Sequence, residues 1–475
     1  MENKNPVFVP DNVKLIHNVL CHKNYECHLV GGCVRDALLG EVPHDYDLCT
    51  DADPDVVQDL LKKTGIRSSC VGIQYGTVVA LLNQDQYEIT TYRTESDYLD
   101  GRHPNKVDFT KNINDDLARR DFTINAMAFD LDRNTLVDPY CGMEDLKNRI
   151  IRMVGDPNER IKEDPLRILR GLRFAIRYGF SIDDKTKEAF LNNKHLLSYV
   201  AKERVTNEFK KMFSYNKSIT PVFLEYAPII FELIPELQPC YKFEQNNKYH
   251  RHDVYEHLLH VVDGCDTDKF EIKLAALLHD IGKPASYVTD ELGNGHFYGH
   301  ANVSYEMSKD ILSKDFRVTV QEREKLLFLI REHDHEMPIT TKSVRKFVSD
   351  FGEDYINDWM ILKKGDISDH LNPDPGRSLS DKYSLMLETY QNFIENESRF
   401  SLKDLNVNGL DMISLGLRGP SIGDTLNYLL NNVIDEITQN NHDELIKDAI
   451  KYNHIENDKY NGLFNECEPE LEEEL

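Results

Sequence analysis

Two aspartates separated by a single residue, Asp45 and Asp47, are of a type and spacing that suit metal chemistry. Their surroundings predict a strand over 45–49, in which alternate side chains leave the same face, so both carboxylates lie opposite Tyr46. Paired carboxylate oxygens suit Mg²⁺, which completes its coordination shell with water and substrate phosphates. The pair therefore predicts a Mg²⁺ site that faces a phosphate-bearing substrate.

Just upstream, a glycine pair separates a predicted strand over 27–30 from a predicted helix over 34–40. Gly31 and Gly32 lack the side chains that would hold a triphosphate away from the backbone amides. Arg35 opens the predicted helix, whose amino end favours anions. Taken singly, these features fit a tight turn and a solvated strand end equally well, but their combination indicates nucleotidyl transfer.

The whole order, Gly-Gly-x-x-Arg-Asp at 31–36 and Asp-x-Asp at 45–47 after eight intervening residues, resembles a known family signature. It is similar to the head domain of class II nucleotidyltransferases, the family of bacterial tRNA CCA-adding enzymes and poly(A) polymerases. The resemblance implies template-independent addition of CCA to the 3′ end of tRNA from CTP and ATP, with release of pyrophosphate. An A-adding enzyme or a poly(A) polymerase would share the same motifs and remains an alternative, and a non-catalytic RNA-binding module is a weaker one.

A second motif, Arg-Arg-Asp-Phe-Thr-Ile-Asn-Ala-Met-Ala at 119–128, is also similar to that family. The resemblance implies that Arg120 contacts phosphate, Asp121 holds the ribose 2′-hydroxyl and Asn125 supports the site. An acceptor that pairs with a ribose hydroxyl would be left unpaired by a deoxyribose, so it selects ribonucleotides. The alternative for this segment alone is a helix edge whose Arg-Asp pair covers an apolar strand.

A third motif contains charged residues in steps of three: Asp164, Arg167, Arg170 and Arg173. This spacing predicts a ridge along one helix, framed by apolar positions that place it at a cleft. The Glu-Asp-x-x-Arg order at 163–167 resembles the base-reading motif of the family. The resemblance implies that Asp164 and Arg167 hydrogen-bond the edge of the incoming base, while Arg170 and Arg173 reach phosphates.

The second half of the chain contains a different set of metal-binding residue types. An apolar helix is predicted before the pair His279-Asp280, and the order of histidines and aspartates resembles the HD superfamily of metal-dependent phosphohydrolases. Imidazole with carboxylate suits Mn²⁺, Ni²⁺, Fe²⁺ or Zn²⁺ better than Mg²⁺. A metal-dependent phosphohydrolase that acts mainly through this site is therefore a further alternative. The residues that the resemblance assigns to the metal are His257, His279, Asp280 and Asp366, with His300 and His333 as ligands of a second ion.

The charge pattern limits where RNA can bind. The chain has 475 residues and a formal net charge of −26, which argues against a generally basic surface. Between residues 147 and 177, however, nine Lys or Arg stand against four Asp or Glu. We expect the tRNA partner to lie along this local basic strip.

Two further segments carry specific expectations. The polar segment 92–104 is predicted to form a mobile loop beside the cleft, and the resemblance implies that such a loop accompanies the addition of A. The segment 203–212 resembles the next family motif and is predicted to brace the neck through ion pairs of Glu203 and Arg204. Residues 404–423 resemble the carboxy-terminal region of the family, and the Glu-rich last ten residues are predicted to be a solvated tail.

These observations predict an α+β fold: a small nucleotidyltransferase head with a mixed β-sheet, followed by an elongated, all-α neck and body with an HD-type helical domain. A chain of this length exceeds one hydrophobic core. The predicted domains are a head (1–145), a neck with the base-reading and RNA-binding region (146–215), an HD domain (216–395) and a carboxy-terminal body with an acidic end (396–475).

Composition also bears on location. Nine cysteines are scattered without a Cys-x-x-Cys pair, which disfavours a zinc ribbon and suits reduced thiols. No export signal and no apolar run of membrane-spanning length is recognisable, so we expect a cytoplasmic protein that does not engage a membrane. The oligomeric state stays open.

Overall fold

The computed structural model describes residues 8–69, 72–98, 104–246, 248–371, 378–396, 401–435 and 437–455. The predicted acidic tail and the middle of the segment 92–104 lie outside the described residues. No described helix is both long enough and apolar enough to cross a lipid bilayer.

A mixed sheet forms the head, as the sequence predicts. Seven strands follow the order β3-β4-β5-β2-β1-β8-β9, and all neighbours are antiparallel except the parallel pair β2 and β5. The described head strands are β1 (Cys27–Val30), β2 (Leu48–Thr50), β3 (Arg67–Ser69), β4 (Thr77–Leu82), β5 (Asp85–Thr91), β6 (Arg93–Tyr98), β7 (Pro104–Phe109), β8 (Ala128–Asp130) and β9 (Thr135–Val137).

Strands β6 and β7 form a separate hairpin, and β6 lies in the segment that the sequence predicts as a mobile loop. Arg93 pairs with Phe109 and Glu95 with Val107 in an antiparallel register. The prediction of a loop was wrong for residues 93–98, because the polar sequence of β6 gives no apolar alternation by which to recognise a strand.

Helices make up most of the remaining chain. Those of the head and neck are α1 (Asp11–Cys21), α2 (Gly32–Leu38), α3 (Pro54–Lys63), α4 (Ile113–Ala118), α5 (Gly142–Asn148), α6 (Pro157–Glu163), α7 (Arg167–Tyr178), α8 (Asp184–Asn193) and α9 (Lys202–Ser214). The later ones are α10 (Thr220–Glu225), α11 (Ala227–Leu233), α12 (Val254–Gly264), α13 (Phe270–Leu278), α14 (Lys283–Ser286), α15 (His300–Lys314), α16 (Val320–Glu332), α17 (Thr341–Phe351), α18 (Glu353–Asp369), α19 (Leu379–Asn396), α20 (Gly409–Ser414), α21 (Pro420–Ile434) and α22 (His442–Tyr452).

The neck and body are helical, as expected, and two short two-stranded sheets accompany the helices. Short strands β10 (Ile150–Ile151) and β11 (Ser181–Ile182) pair in parallel beside the neck, and β12 (Tyr287–Thr289) and β13 (Gly295–Phe297) form a hairpin. Strands of two or three residues leave no readable periodicity in a sequence. Short 3₁₀ helices cover 73–75, 123–125, 194–199, 235–240 and 402–404.

Hydrophobic packing joins the head, neck and HD region. One cluster of buried residues extends from Val9 to Phe393, while Leu405 to Ile450 contribute to a second cluster at the carboxy-terminal end. Gly171 of α7 allows close packing, since a Cβ there would lie 2.5 Å from the Phe190 ring of α8 and 3.3 Å from the Phe122 ring of the second motif. Helix α7 therefore packs against both the neck and the head.

Candidate active site and metal centre

The glycine turn after β1 contacts the second motif. Gly31 has a positive φ of 75°, and a Cβ there would lie 2.8 Å from Nη1 of Arg120. The Gly31 amide donates to the carbonyl of Met127 at 3.1 Å. A larger residue would therefore be strained and would displace Arg120, so glycine keeps this arginine against the turn.

Asp45 and Asp47 lie just before β2 and not within a strand, which corrects the sequence prediction. Strand β2 begins at Leu48, paired with Leu29, and the Val30 amide still donates to the Asp47 carbonyl at 3.1 Å, so Asp47 lies at the very start of the ladder. The alternation nevertheless holds: Asp45 is exposed and Asp47 half-buried, whereas Tyr46 is buried. Both carboxylates thus lie on the accessible side.

A third carboxylate, Glu88, stands beside this pair and was missed by the sequence analysis. The parallel register pairs Leu48 of β2 with Ile89 of β5, which places Glu88 next to Asp47. Burial and the charges of Glu88 and Asp45 raise the pKa of Asp47 to about 6, against the opposing charge of Arg120. Glu88 is an exposed residue between two buried residues of β5. Its place beside Asp47 can be inferred only when the pairing of β2 with β5 is known.

The donor set of this site fits a divalent metal. Burial contributes most to the raised pKa of Asp47, and the negative charges of Glu88 and Asp45 raise it further. Carboxylate oxygens are the ligands that Mg²⁺ prefers, and a bound dication would offset the repulsion. Asp45, Asp47 and Glu88 are therefore the residues that would hold it.

The second motif forms a buried polar network behind these carboxylates. Asp121 accepts from Nδ2 of Asn125 at 2.9 Å and from Nε of Arg170 at 2.8 Å. Burial alone would raise the pKa of Asp121, but Arg170 and Asn125 outweigh it and hold the pKa well below its usual range. Asp121 is therefore an ionised acceptor that links the head to the neck.

Arg35 does not lie at the amino end of a helix, which corrects the sequence prediction. Helix α2 begins at Gly32, and Arg35 occupies its last turn. Arg35 is only 4 % exposed and donates to the side chains of Asp36 and Asn125. Its guanidinium stacks over the Phe174 ring at 5.2 Å. Arg35 therefore supports Asn125 and the neck, and does not present a free cation to a phosphate in this arrangement.

The third motif is interrupted, so Asp164 is not on the same helix as the arginines. Helix α6 ends at Glu163, Asp164 is extended with φ −146° and ψ 98°, and α7 begins at Arg167. The following Pro165 explains the break, because a residue before proline disfavours the helical region. The Asp164 carboxylate accepts from Nη2 of Arg204 at 2.8 Å.

Arg167 is held between α6 and the second motif. Its Nη1 donates to Oε2 of Glu163 at 2.7 Å and to the carbonyl of Arg160 at 2.8 Å, and its Nη2 donates to the carbonyl of Arg119 at 3.3 Å. The side chain is therefore oriented by the two segments that the sequence analysis assigned to nucleotide binding.

Arg170 and Arg173 differ in their surroundings. The Arg170 side chain keeps 33 % of its surface exposed, whereas that of Arg173 keeps 8 % and pairs with Oε2 of Glu208 at 2.6 Å. The structure therefore places Arg173 in a buried contact with α9, and the ion pairs that brace the neck involve Arg204 and Glu208. Glu203, which the sequence analysis expected in this role, has no ion-pair partner among those found in the described residues.

In the HD region, the predicted residues converge on Asp280. Its Oδ2 lies 3.2 Å from Nε2 of His279 and 3.4 Å from Nε2 of His257. Its Oδ1 lies 3.1 Å from Nε2 of His300 and 3.3 Å from Nε2 of His333. One buried carboxylate therefore stands between two pairs of imidazole nitrogens, which is the arrangement of a bridging ligand between two ions.

The orientation of each histidine ring leaves Nε2 for a ligand. Each Nδ1 lies within 2.9 Å of an acceptor that fixes the tautomer, and these acceptors are Asp369 for His257 and the carbonyls of Ala276, Phe297 and Ile330 for His279, His300 and His333. Outer partners of this kind orient metal-binding imidazoles. Nε2 of His257 and His279 and Oδ1 of Asp280 are buried without hydrogen-bond partners in the described part of the chain, so the donor set fits a metal.

Asp366 and Lys283 complete the surroundings. Oδ1 of Asp366 lies 3.4 Å from Nε2 of His257, and Nζ of Lys283 lies 2.6 Å from Oδ2 of Asp280. Burial would lower the pKa of His257, but the nearby carboxylates raise it, so the group holds an excess of negative charge. A cavity of ≈ 330 Å³ opens onto Asp280, Lys283 and Asp366.

The sequence analysis missed some residues of this centre. Asp369 holds His257, while His250 and His370 line the cavity. Their signal is weak, since Asp369 is one of many acidic residues and the two histidines meet only through an isolated bridge between distant segments.

Three regions of the chain match known domain families. Residues 27–152 match the poly A polymerase head domain, residues 249–364 match the HD domain, and residues 179–220 match the family described as a probable RNA and SrmB-binding site of polymerase A. The chain therefore carries a poly A polymerase head domain followed by an HD domain.

Curated relatives are CCA-adding enzymes. That of Enterococcus faecalis is 47 % identical over 190 residues, which cover 40 % of this chain and 46 % of the relative. That of a Geobacillus species is 46 % identical over 236 residues, which cover 48 % and 57 %. The chain thus spans about half the length of the curated relatives that it matches.

Solved structures share the fold over nearly the full length. The CCA-adding enzyme of Bacillus stearothermophilus in complex with CTP superposes with a TM-score of 0.65 at 22 % identity, covering 94 % of this chain and 97 % of that one. The Thermotoga maritima CCA-adding enzyme complexed with tRNA gives a TM-score of 0.58 at 20 % identity, covering 94 % and 96 %. At these identities the likeness establishes the fold.

Proposed function

We propose that this chain, which carries a poly A polymerase head domain and an HD domain, adds CCA to the 3′ end of tRNA from CTP and ATP. The observation that carries the proposal is the placement of Asp47 beside Glu88 and Asp45, next to the Gly31 turn and Arg120. The similarity of 190 residues of the chain to a CCA-adding enzyme supports it.

In the proposed reaction the 3′-hydroxyl oxygen of the tRNA attacks the α-phosphorus of CTP or ATP. The bond between that phosphorus and the bridging oxygen to the β-phosphate breaks, pyrophosphate leaves with the bond electrons, and the hydroxyl proton passes to solvent. Mg²⁺, when held by Asp45, Asp47 and Glu88, would favour loss of that proton and offset phosphate charge. Arg120, fixed against the glycine turn, is positioned to attract the triphosphate.

Nucleotide selection is proposed to lie with Asp121, Asp164 and Arg167. Asp121 is already ionised and would accept from the ribose 2′-hydroxyl. Asp164 and Arg167 now pair with Arg204 and Glu163, so a base that binds them would exchange one set of hydrogen bonds for another. We propose that Arg170, the more exposed of the other two arginines, binds a phosphate of the nucleotide. Arg173, which is buried and paired with Glu208, would hold α7 in position.

The tRNA is proposed to lie along the basic strip of the neck, between residues 147 and 177, and this substrate would place the enzyme in the cytoplasm. The domain boundaries that we propose are those given above, with the carboxy-terminal body beginning near 396. The second hydrophobic cluster, which includes Leu405 to Ile450, supports the last of these boundaries.

A second activity is proposed for the HD domain, namely hydrolysis of phosphate esters with Mn²⁺, Ni²⁺, Fe²⁺ or Zn²⁺. Its support is the position of Asp280 between two imidazole pairs, beside a cavity that Lys283 lines. Two ions sharing Asp280 would activate water and bind the phosphate. Lys283, which lines the cavity, would neutralise negative charge on the leaving group.

The decisive experiment supplies tRNA lacking its last three nucleotides with CTP, with ATP, or with both. CCA addition predicts two C residues with CTP alone and a complete end with both nucleotides. Addition of A only to a tRNA that already ends in CC would identify an A-adding enzyme. Long A tails on unrelated RNA would identify a poly(A) polymerase, and no incorporation at all would contradict nucleotidyl transfer.

A further inference from the structure

A second group of metal-binding side chains lies on the opposite side of Asp369 from the HD centre. His252, Glu256 and His260 follow one another in steps of four, and α12 begins at Val254 with Asp253 as its amino-terminal cap. Glu256 and His260, four apart on α12, lie on the same side of that helix, and His252, which precedes the cap, joins them by stacking its ring on that of His260. Asp369, the last residue of α18, adds a buried carboxylate from a different element.

Three candidate ligand atoms, one each from His252, His260 and Asp369, lie within 4.8 Å of one another, close enough to share one ion. Nε2 of His252 lies 3.5 Å from Oδ1 of Asp369, while its Nδ1 lies 3.1 Å from Oε2 of Glu256, which orients the ring. Nε2 of His260 lies 3.8 Å from Oε1 of Glu256. The His252 and His260 rings stack at 4.4 Å with an angle of 25° between them.

A network of ion pairs is the competing explanation. Hydrogen bonds from nitrogen to oxygen measure about 2.7–3.2 Å. The contact of His252 with Glu256, at 3.1 Å, is of that length, whereas the approach of Nε2 of His252 to Asp369, at 3.5 Å, is longer. A shared ion accounts for the grouping of His252, His260 and Asp369 within 4.8 Å.

We propose that His252, His260 and Asp369 form an outer site for a first-row transition-metal ion of the Zn²⁺ class, with Glu256 as the residue that orients the His252 ring. Two imidazoles and a carboxylate are ligand types that Zn²⁺, Co²⁺ and Ni²⁺ prefer. The site goes beyond the proposed function, because none of these residues faces the cavity beside Asp280 and neither catalytic role requires the ion.

Asp369 links the outer site to the HD centre. Its Oδ2 lies 2.9 Å from Nδ1 of His257, while its Oδ1 faces His252. An outer ion on Oδ1 would draw charge from the carboxylate that orients His257. The outer ion therefore serves as a structural clamp that joins α12 to the end of α18 and fixes the HD ligand between them.

The test measures Zn²⁺ and Co²⁺ binding to the full chain by equilibrium dialysis, with the visible spectrum of Co²⁺ as a second readout. We expect His260→Ala to bind one ion per chain fewer than the wild type and to lose part of the Co²⁺ spectrum. The matched control is His442→Ala, since His442 also lies near carboxylates, at 3.4 Å from Asp443 and 3.7 Å from Asp411, but has no second histidine in its group.

A separate variant keeps this test independent of the HD activity. Asp280→Asn should lose inner ions while it keeps the outer one, and Glu256→Gln, which preserves the shape of the side chain, should weaken outer binding. If His260→Ala and the wild type bind equal numbers of ions, and only Asp280→Asn binds fewer, the outer site does not exist and the HD centre stands. Circular dichroism of each variant establishes that the fold is retained.

Discussion

Arg170 donates through Nε to the Asp121 carboxylate at 2.8 Å, so the neck helix α7 reaches directly into the second motif of the head. The same carboxylate accepts from Asn125, which is in turn bound by Arg35. These contacts explain why the pKa of Asp121 stays low although the side chain is buried. A ribose hydroxyl that binds Asp121 must share the carboxylate with Arg170, so sugar recognition and the position of α7 are coupled.

The first prediction concerns the two aspartates before β2. Asp45→Ala or Asp47→Ala should lower the rate of CCA addition by at least about a hundredfold, because a metal ligand contributes several kcal/mol to the transition state. Asp45 is exposed, so its loss should change the free energy of unfolding by no more than about 0.5 kcal/mol. Single-turnover assays and thermal melts measure both effects. Asp55→Ala, an exposed aspartate of α3, is the control, and full activity of either variant would remove the assignment.

The second prediction concerns Glu88. If it is a metal ligand, Glu88→Gln should slow addition by at least about tenfold and raise the Mg²⁺ concentration needed for half-maximal rate. If Glu88 only repels Asp47, removing its charge lowers the Asp47 pKa. The acidic limb of the pH–rate profile would then move to lower pH with no loss of maximal rate. Rates measured between pH 5.5 and 8.5 over a Mg²⁺ series separate these outcomes.

Elements defined by local sequence patterns were predicted well, whereas features that depend on contacts between distant segments were missed. The strand predicted over 27–30 coincides with β1, and the helix predicted over 34–40 lies two residues earlier as α2, because local alternation and turn residues define both elements. Glu88 was missed because its role depends on the pairing of β2 with β5, about forty residues apart, which no local pattern records.

Long-range packing also affects the motifs. The spacing of three placed Asp164 on the helix of the arginines, although Pro165 disfavours the helical conformation of the residue before it. The assignment of Arg35 to nucleotide binding stays a prediction, and its burial against Phe174 depends on α7, which comes much later in the chain. In the HD region, the adjacent pair His279-Asp280 could be predicted from the sequence. Asp369, which supports His257, could not.

The third prediction concerns base selection. Arg167→Ala should raise incorporation of UTP or GTP relative to CTP and ATP by roughly 10- to 100-fold, since a base-edge contact discriminates by about 1–3 kcal/mol. Each nucleotide is tested separately with tRNA that lacks its last three residues. Lys162→Ala, an exposed cation of α6, is the matched control. An equal loss for all four nucleotides would mean that Arg167 only holds α6 against the second motif, through Glu163 and Arg119.

The fourth prediction concerns the hairpin of β6 and β7. Glu95 in β6 accepts from Nη1 of Arg119 at 3.2 Å, and the Arg119 carbonyl accepts from Arg167, so the hairpin connects to the base-reading residues. Deleting 97–103 retains Glu95 and should suppress addition of A while it spares addition of C. Sequencing gels of the products made with CTP alone and with both nucleotides measure the two steps. A parallel fall in both would assign the segment a purely structural role.

The last prediction concerns the HD centre. His279→Ala combined with Asp280→Ala should abolish hydrolysis of 2′,3′-cyclic nucleotides in the presence of Mn²⁺ or Ni²⁺, because Asp280 stands between both imidazole pairs. CCA addition with Mg²⁺ should change by less than about twofold, since each site has its own ligands of a different type.

Both HD residues are buried, so the loss of fold must be excluded by a second variant. His300→Ala removes a partly exposed member of the imidazole pair His300 and His333. It should reduce hydrolysis, while the melting temperature stays close to that of the wild type. A folded variant that loses CCA addition together with hydrolysis would contradict two independent sites. A wild-type protein that hydrolyses no cyclic nucleotide with any of the four transition metals would contradict the proposed HD activity.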